Sequence, residues 1–324
     1  MTFYFYISKT ANFFHFLANL TDWHYSVRQS YKKYWLGLDG PLTSEETTVL
    51  GQLNELFKKY HYGQNYWGKV FLRKAESDVW VAAETSFGTE DTKTFRRAMD
   101  VFQARFDKIW QEEMNGIHSW RQKLTESQNI LGFDAITADL SMFFGSKPQL
   151  PDQIKVILLL SSPNSNGGGA NTGTGSVTLE LSGMPIDRLV DVWMTLWHEL
   201  IHAYWESSQS YQEVLNPFLT GLNQDGTQSL VENVDLGILI KEAISDSLLP
   251  SGYLASKYFG IDSEQKFSQI ISRSGPNSTA PNSLRYWRAR LAQKLLPLTT
   301  KCIESGRPLD QAYLDEIRSL LRQV

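Results

Sequence analysis

Thr195-Leu-Trp-His198-Glu199-Leu-Ile-His202-Ala-Tyr204 has the pattern of a helix carrying H-E-x-x-H. The apolar residues Leu189, Trp193, Leu196 and Leu200 recur in steps of four and three, the period of a helical stripe facing a core. His198 and His202 stand four residues apart, slightly more than one turn, so both imidazoles leave one helix face. Two ring nitrogens can then reach the same zinc ion. Glu199 is rotated too far round to be an easy third ligand. It is placed to hold a metal-bound water and accept its proton. The competing reading of the same residues is a wet helix face with two partly exposed histidines and a glutamate.

Two histidines leave zinc short of a protein set, because a catalytic site uses three ligands and one open position. A second apolar, helix-periodic run supplies candidates: Gly237-Ile-Leu-Ile-Lys-Glu242-Ala-Ile-Ser-Asp246. Glu242 and Asp246 are four apart and share a face. The arrangement suggests Glu242 on the metal and Asp246 behind it, accepting a hydrogen bond from a histidine ligand's far nitrogen. Glu206, Glu213 and Glu232 are lesser rivals. Glu206 follows His202 by four residues on the same helix, so one ion cannot easily sit among all three side chains.

The pair of motifs, His198-Glu-Leu-Ile-His202-Ala and Glu242-Ala-Ile-Ser-Asp246, resembles the gluzincin zinc peptidases of the thermolysin-like superfamily. The resemblance spans two helices, little more than a tenth of the chain. It implies zinc held by His198, His202 and Glu242, with Glu199 as general base and Asp246 orienting His198. It also implies a zincin-like core in which an edge strand over the motif helix pairs with extended substrate. The departures are a longer gap between His202 and Glu242 and a lysine, Lys241, where thermolysin-type enzymes have asparagine. No histidine follows His202, so the resemblance points to the aminopeptidase branch of the superfamily, in which a tyrosine could replace the histidine that stabilises the transition state. Tyr286, at the start of a helix after a loop, is the first candidate; Tyr253, Tyr258 and the cation Arg285 are the others. The metzincin pattern is excluded, since Trp205 and Ser208 stand where it needs glycine and histidine.

The 324 residues are 42% apolar and rich in aromatics, which indicates a real core. A net charge of −4 offers no general attraction to nucleic acid or anionic membrane. Cys302 is the sole cysteine, so no intrachain disulfide forms and an inert thiol is expected. The apolar start of the chain lacks a basic region and cleavage site, and no run reaches the length of a membrane span. A cytoplasmic protein is expected, with non-classical export equally compatible.

Outward from the motifs, Thr2–Ile7 reads as a strand, and Phe13 to Leu20 as a helix. Thr43-Ser-Glu-Glu46 is a capping box opening a helix with Leu50, Leu53, Phe57 and Tyr60 buried. His15 and His24 have no partners at metal spacing. Phe95, Met99, Phe102, Phe106 and Ile109 form one seam of a helix from about Thr92 to Leu124, bent or interrupted at Gly116, its basic residues solvated. Ile154–Ser161 reads as a buried strand. Asn164–Gly175 reads as a flexible loop without a phosphate-binding ending, and Ser176–Ser182 as a half-exposed strand. That strand is the candidate for the substrate-pairing edge. Glu206 to Gln228 reads as a short helix and a loop, and the rest of the chain as helical, with a loop over Ser274–Asn282.

These readings predict an α+β, predominantly helical chain with a small sheet. A mainly helical region over 1–148 would precede a catalytic region over 149–324, either as two domains or as one continuous domain with a central cleft. The expected activity is zinc-dependent hydrolysis of a peptide or protein substrate, with neither nucleic acid nor membrane as partner. A zinc hydrolase of another amide or an ester, and a non-catalytic zinc-stabilised binding protein, fit the same residues.

Overall fold

The computed structural model describes residues 2–22, 28–60, 66–74, 76–128, 132–163, 168–171, 176–224, 235–276 and 283–322. His24, Glu232 and most of the two glycine-, serine- and asparagine-rich stretches lie outside them. The chain groups into two compact units, one built from Thr2–Gln128 and Asp152–Leu189, the other from Asn129–Pro151 and Val190–Val324. The expected class holds: helices dominate and the four strands form one mixed sheet. Among the described residues no helix is long and apolar enough to cross a membrane.

The first unit holds the sheet, in the order β1-β2-β4-β3. β1 (Thr2–Tyr6) and β4 (Ser176–Glu180) both run parallel to β2 (Gln153–Leu159), and β3 (Gly168–Asn171) pairs antiparallel with β4. β1 alternates, with Phe3 and Phe5 buried and Tyr4 exposed, as a strand with one wet face should. β2, paired in parallel on both edges, is apolar and buried from Val156 to Leu159, as a strand inside a parallel sheet should be. Two expectations are corrected here. β4 is interior and buried from Ser176 to Leu179, so it offers no free edge to a substrate. What occupies its outer edge is Gly168–Asn171, part of the stretch expected to be a loop. Short polar and glycine residues weaken a strand signal, and only the neighbour's free hydrogen-bonding groups make this one form.

Helices pack on this sheet. In α1 (Lys9–Leu20) Ser8 caps the start, its Oγ accepting from Ala11 N at 3.0 Å. Asn12 exchanges hydrogen bonds with the backbone of Leu158 and Leu160, and His15 Nε2 meets Leu160 O at 3.1 Å. Its role is structural, as expected. α2 (Gln29–Leu38) follows, then α3 (Ser44–Lys59), whose capping box forms as read. Thr43 Oγ1 accepts from Glu46 N at 3.1 Å, and Thr43 N donates to Glu46 Oε2 at 2.8 Å. The buried stripe is Val49, Leu53, Leu56 and Phe57, with Leu50 and Tyr60 only half-buried. Thr43→Ala should lower stability by about 1 kcal/mol, read by chemical denaturation; an unchanged midpoint would show that the cap is dispensable.

After the short helices α4 (Gly68–Phe71) and α5 (Val79–Phe87), α6 runs unbroken from Thr89 to Ser127. Gly116 does not interrupt it. A Cβ there would lie 2.5 Å from Ser182 O, so this glycine serves close approach of backbone. Nor are all its cations solvated. Arg105 is 3% exposed and grips Glu46 through Nε at 2.9 Å and Nη2 at 3.1 Å. A buried carboxylate on α3 explains a buried arginine that helical periodicity alone assigns to water.

The second unit is helical. It contains α7 (Phe133–Phe143), α8 (Leu189–Leu200), α9 (Gln209–Gln224), α10 (Leu236–Leu248), α11 (Tyr253–Phe259), α12 (Ser263–Ser274), α13 (Ser283–Glu304) and α14 (Gln311–Leu321). α9 is longer than expected and continues through Pro217; α13 likewise continues through Pro297 to Glu304. α10 packs along α13, which also receives α12. Trp193 and Trp197 of α8 pack against Phe133 of α7. Asp235 caps α10 by accepting from Ile238 N at 2.9 Å, and the helix stops at the residue before Pro250, which cannot continue it. Cys302 is buried and unpaired, and burial pushes its thiol pKa up, consistent with an inert group.

Candidate metal centre

His198 lies in the last turn of α8. A single π-type turn, Ile201–Trp205, follows without a break and carries His202. Glu206 N closes that turn on Ile201 O at 3.0 Å. Such wide turns in helices recur at functional sites. Glu242 sits midway along α10.

These three side chains converge. The two Nε2 atoms are 3.0 Å apart. His198 Nε2 is 3.4 Å from Glu242 Oε2, and His202 Nε2 is 3.5 Å from Glu242 Oε1. Ligand atoms held at about 2.0 Å on tetrahedral corners are about 3.3 Å apart, so the triangle has the size of a metal's coordination face. The outer ring atoms settle which nitrogens are bare. His198 Nδ1 is 2.9 Å from Leu249 O, a carbonyl that can only accept. His202 Nδ1 is 2.8 Å from Glu206 Oε2. Both Nδ1 atoms therefore carry hydrogen. Neutral rings then aim two lone pairs at each other and at a carboxylate, which is repulsive until a cation sits among them. His198, His202 and Glu242 form a group that could hold a metal ion.

No family model, curated protein or solved structure matches the chain.

Its electrostatics match the lone-pair argument. Burial would lower the His202 pKa, but the Glu206 carboxylate, then Glu242 and Glu199, outweigh it and raise the value to about 10. Without a metal, a proton takes the cation's place. Burial would also raise Glu242; the Arg288 charge and the two histidines override it and hold the carboxyl well below the usual range. Glu199 is half-buried. Burial raises its pKa, partly offset by the His198 and His202 charges, with Glu242 adding to the rise and Arg288 opposing it. Its carboxylate makes no hydrogen bond among the described residues, while those four charges act on it.

Asp246 is close to His198 but not its hydrogen-bond partner: Oδ1 is 3.7 Å from Nδ1, and the Leu249 carbonyl takes the bond instead. Asp246 is held by Arg288, through Nε at 2.5 Å and Nη2 at 2.8 Å. The same guanidinium places Nη1 2.5 Å from Glu242 Oε2. Burial opposes the Arg288 charge, yet Asp246 and Glu242 raise its pKa further. One arginine thus spans both carboxylates of α10.

Arg288 escaped the sequence reading, which considered Arg285. The interaction links Asp246 to a residue 42 positions further on, on a helix without a motif, and no spacing rule reaches that far. Glu206, weighed from the sequence as a lesser rival ligand four residues past His202, is instead an outer partner whose Oε2 meets His202 Nδ1. Glu213 is exposed and accepts from Gln209. Tyr286 accepts from Arg290 Nη1 at 3.1 Å. Two residues from Arg288 along α13, it points about 200° round the helix from it. Tyr258 donates to Asp139 at 2.7 Å, Lys257 lies over the Tyr253 ring, and Arg285 is exposed. The partners of Tyr286, Tyr258 and Tyr253 named here do not belong to the His-His-Glu group.

Proposed function

We propose that the chain is a zinc-dependent hydrolase of amide bonds with peptides as substrates, of the gluzincin kind. The observation that carries this reading is the convergence of two bare Nε2 atoms and the Glu242 carboxylate beside a glutamate, Glu199, with no hydrogen-bond partner among the described residues. His198, His202 and Glu242 would hold the ion: two nitrogens and a carboxylate oxygen are a common donor set of catalytic zinc, with a position left open.

A bound zinc ion supplies a Lewis acid there, which acidifies a water and polarises a carbonyl. The protein's part is proton handling and positioning. Glu199 accepts a proton from the attacking water and passes it to the leaving amine. Its raised pKa suits both transfers, because a carboxyl nearer neutrality both takes up and gives back a proton. Leu249 O and Glu206 hold the rings, and Arg288 holds Glu242. Arg288 has both neighbouring carboxylates to neutralise, and nothing described frees it to stabilise an oxyanion.

The test is zinc content per chain in untagged protein purified without added metal, followed by cleavage of a peptide library set against small amides and esters. Near-stoichiometric zinc is expected, abolished in His202→Ala. A wild-type chain that neither contains zinc nor takes it up on titration would end the hydrolase reading. Zinc with cleavage only of small amides or esters would move the substrate class.

A further inference from the structure

The two histidines have unlike partners. His198 Nδ1 donates to a neutral carbonyl, Leu249 O, at 2.9 Å; His202 Nδ1 donates to a carboxylate, Glu206 Oε2, at 2.8 Å. Glu206 is 7% exposed, and its other oxygen accepts from Ser245 Oγ at 2.7 Å. A carboxylate this deep is unfavourable unless positive charge answers it. Ser245 is neutral, and among the described residues no lysine or arginine pairs with Glu206; its one ion-pair partner is His202. The answering charge must reach Glu206 through the His202 ring.

We propose that Glu206 is the positioning carboxylate of the metal centre, making His202 the stronger of the two imidazole donors and thereby setting the affinity for a divalent ion. This rests on the metal reading above. A carboxylate accepting from the far nitrogen fixes the ring's tautomer and orientation and raises its basicity as a ligand; a carbonyl does the first but less of the second. Ser245 completes the device. It lies on α10 between Glu242 and Asp246 and is fully buried, so pinning Glu206 Oε1 ties the motif helix to the helix that supplies the third ligand.

Glu206→Gln separates charge from shape. The amide keeps an oxygen for His202 Nδ1 and a polar group for Ser245, but no charge. Zinc dissociation constants measured by competition with a chromophoric chelator should weaken about 10–100-fold in Glu206→Gln, the usual range for such partners. Glu206→Ala should weaken at least as much. A cooperative melting transition of Glu206→Gln in chelator shows that the variant is folded. An unchanged zinc constant in Glu206→Gln beside a zinc-binding wild type overturns this role and leaves the metal reading standing. A wild type that binds no zinc overturns both. If Glu206→Gln fails to fold, Ser245→Ala carries the test: it keeps the charge but unpins the carboxylate, a several-fold weaker constant is expected, and no change overturns the proposal.

Discussion

Glu199→Gln should keep its zinc and lose about 10²–10⁴-fold in hydrolysis, the usual contribution of a positioned general base. Glutamine fills the same volume and cannot take a proton at neutral pH. Glu199 belongs to neither the ligand triangle nor the hydrogen bonds that hold it, so metal uptake should be untouched. The loss should fall on kcat with KM little changed, because the group acts on the reacting water rather than on bound substrate. Zinc content and peptide cleavage measured on one preparation check both halves. A fully active Glu199→Gln would remove the residue from the mechanism. Loss of zinc together with activity would make it a structural part of the centre instead.

Arg288→Met should destabilise the zinc-free protein by about 3 kcal/mol. Methionine keeps much of the side chain's bulk and removes its charge. Asp246, 7% exposed as a side chain, then loses its counter-ion, and Glu242 is left with the histidine charges alone. Breaking a buried ion pair by removing one partner costs about 3–5 kcal/mol. The low end applies because Arg288 keeps 28% of its side chain exposed, so water screens part of the loss. A divalent ion on Glu242 replaces half of what the arginine supplied. The same substitution should therefore be milder in zinc than in chelator. Urea denaturation under the two conditions decides it. Equal losses in both would mean that Arg288 acts on packing alone, and a loss below about 0.5 kcal/mol, the size of a surface change, would remove the clamp from the account.

Local signals read well because they are written in adjacent residues. The Thr43–Glu46 box, the Phe13 to Leu20 part of α1 and the α6 seam follow from spacing, since a helix brings residues three and four apart together whatever surrounds it. The same rule put His198 and His202 on one face and Glu242 beside Asp246, one turn apart on α10. Pairing partners are not local. The edge strand was placed on Ser176–Ser182 because alternation resembles a half-wet strand, yet alternation does not say whether a neighbour will cover the free edge. Gly168–Asn171 does cover it, with little side chain to announce itself. Arg105 was likewise assigned to solvent until Glu46 met it.

By itself, then, the sequence determined the helical character of the chain, the buried β2 run, and the two helices that bear a possible ligand set, because periodicity and side-chain chemistry are properties of short segments. Only the tertiary structure decided that the two motifs meet within 3.5 Å. It also decided that Leu249 O rather than Asp246 takes the His198 proton, that Glu206 stands behind His202, and that Arg288 spans Glu242 and Asp246. Each of those is a contact between segments about forty residues or more apart, or depends on the exact turn that a helix makes. Such contacts are selected by the packing of α10 along α13 and by the meeting of the motif residues with Glu242, where burial turns a nearby charge into an obligatory partner.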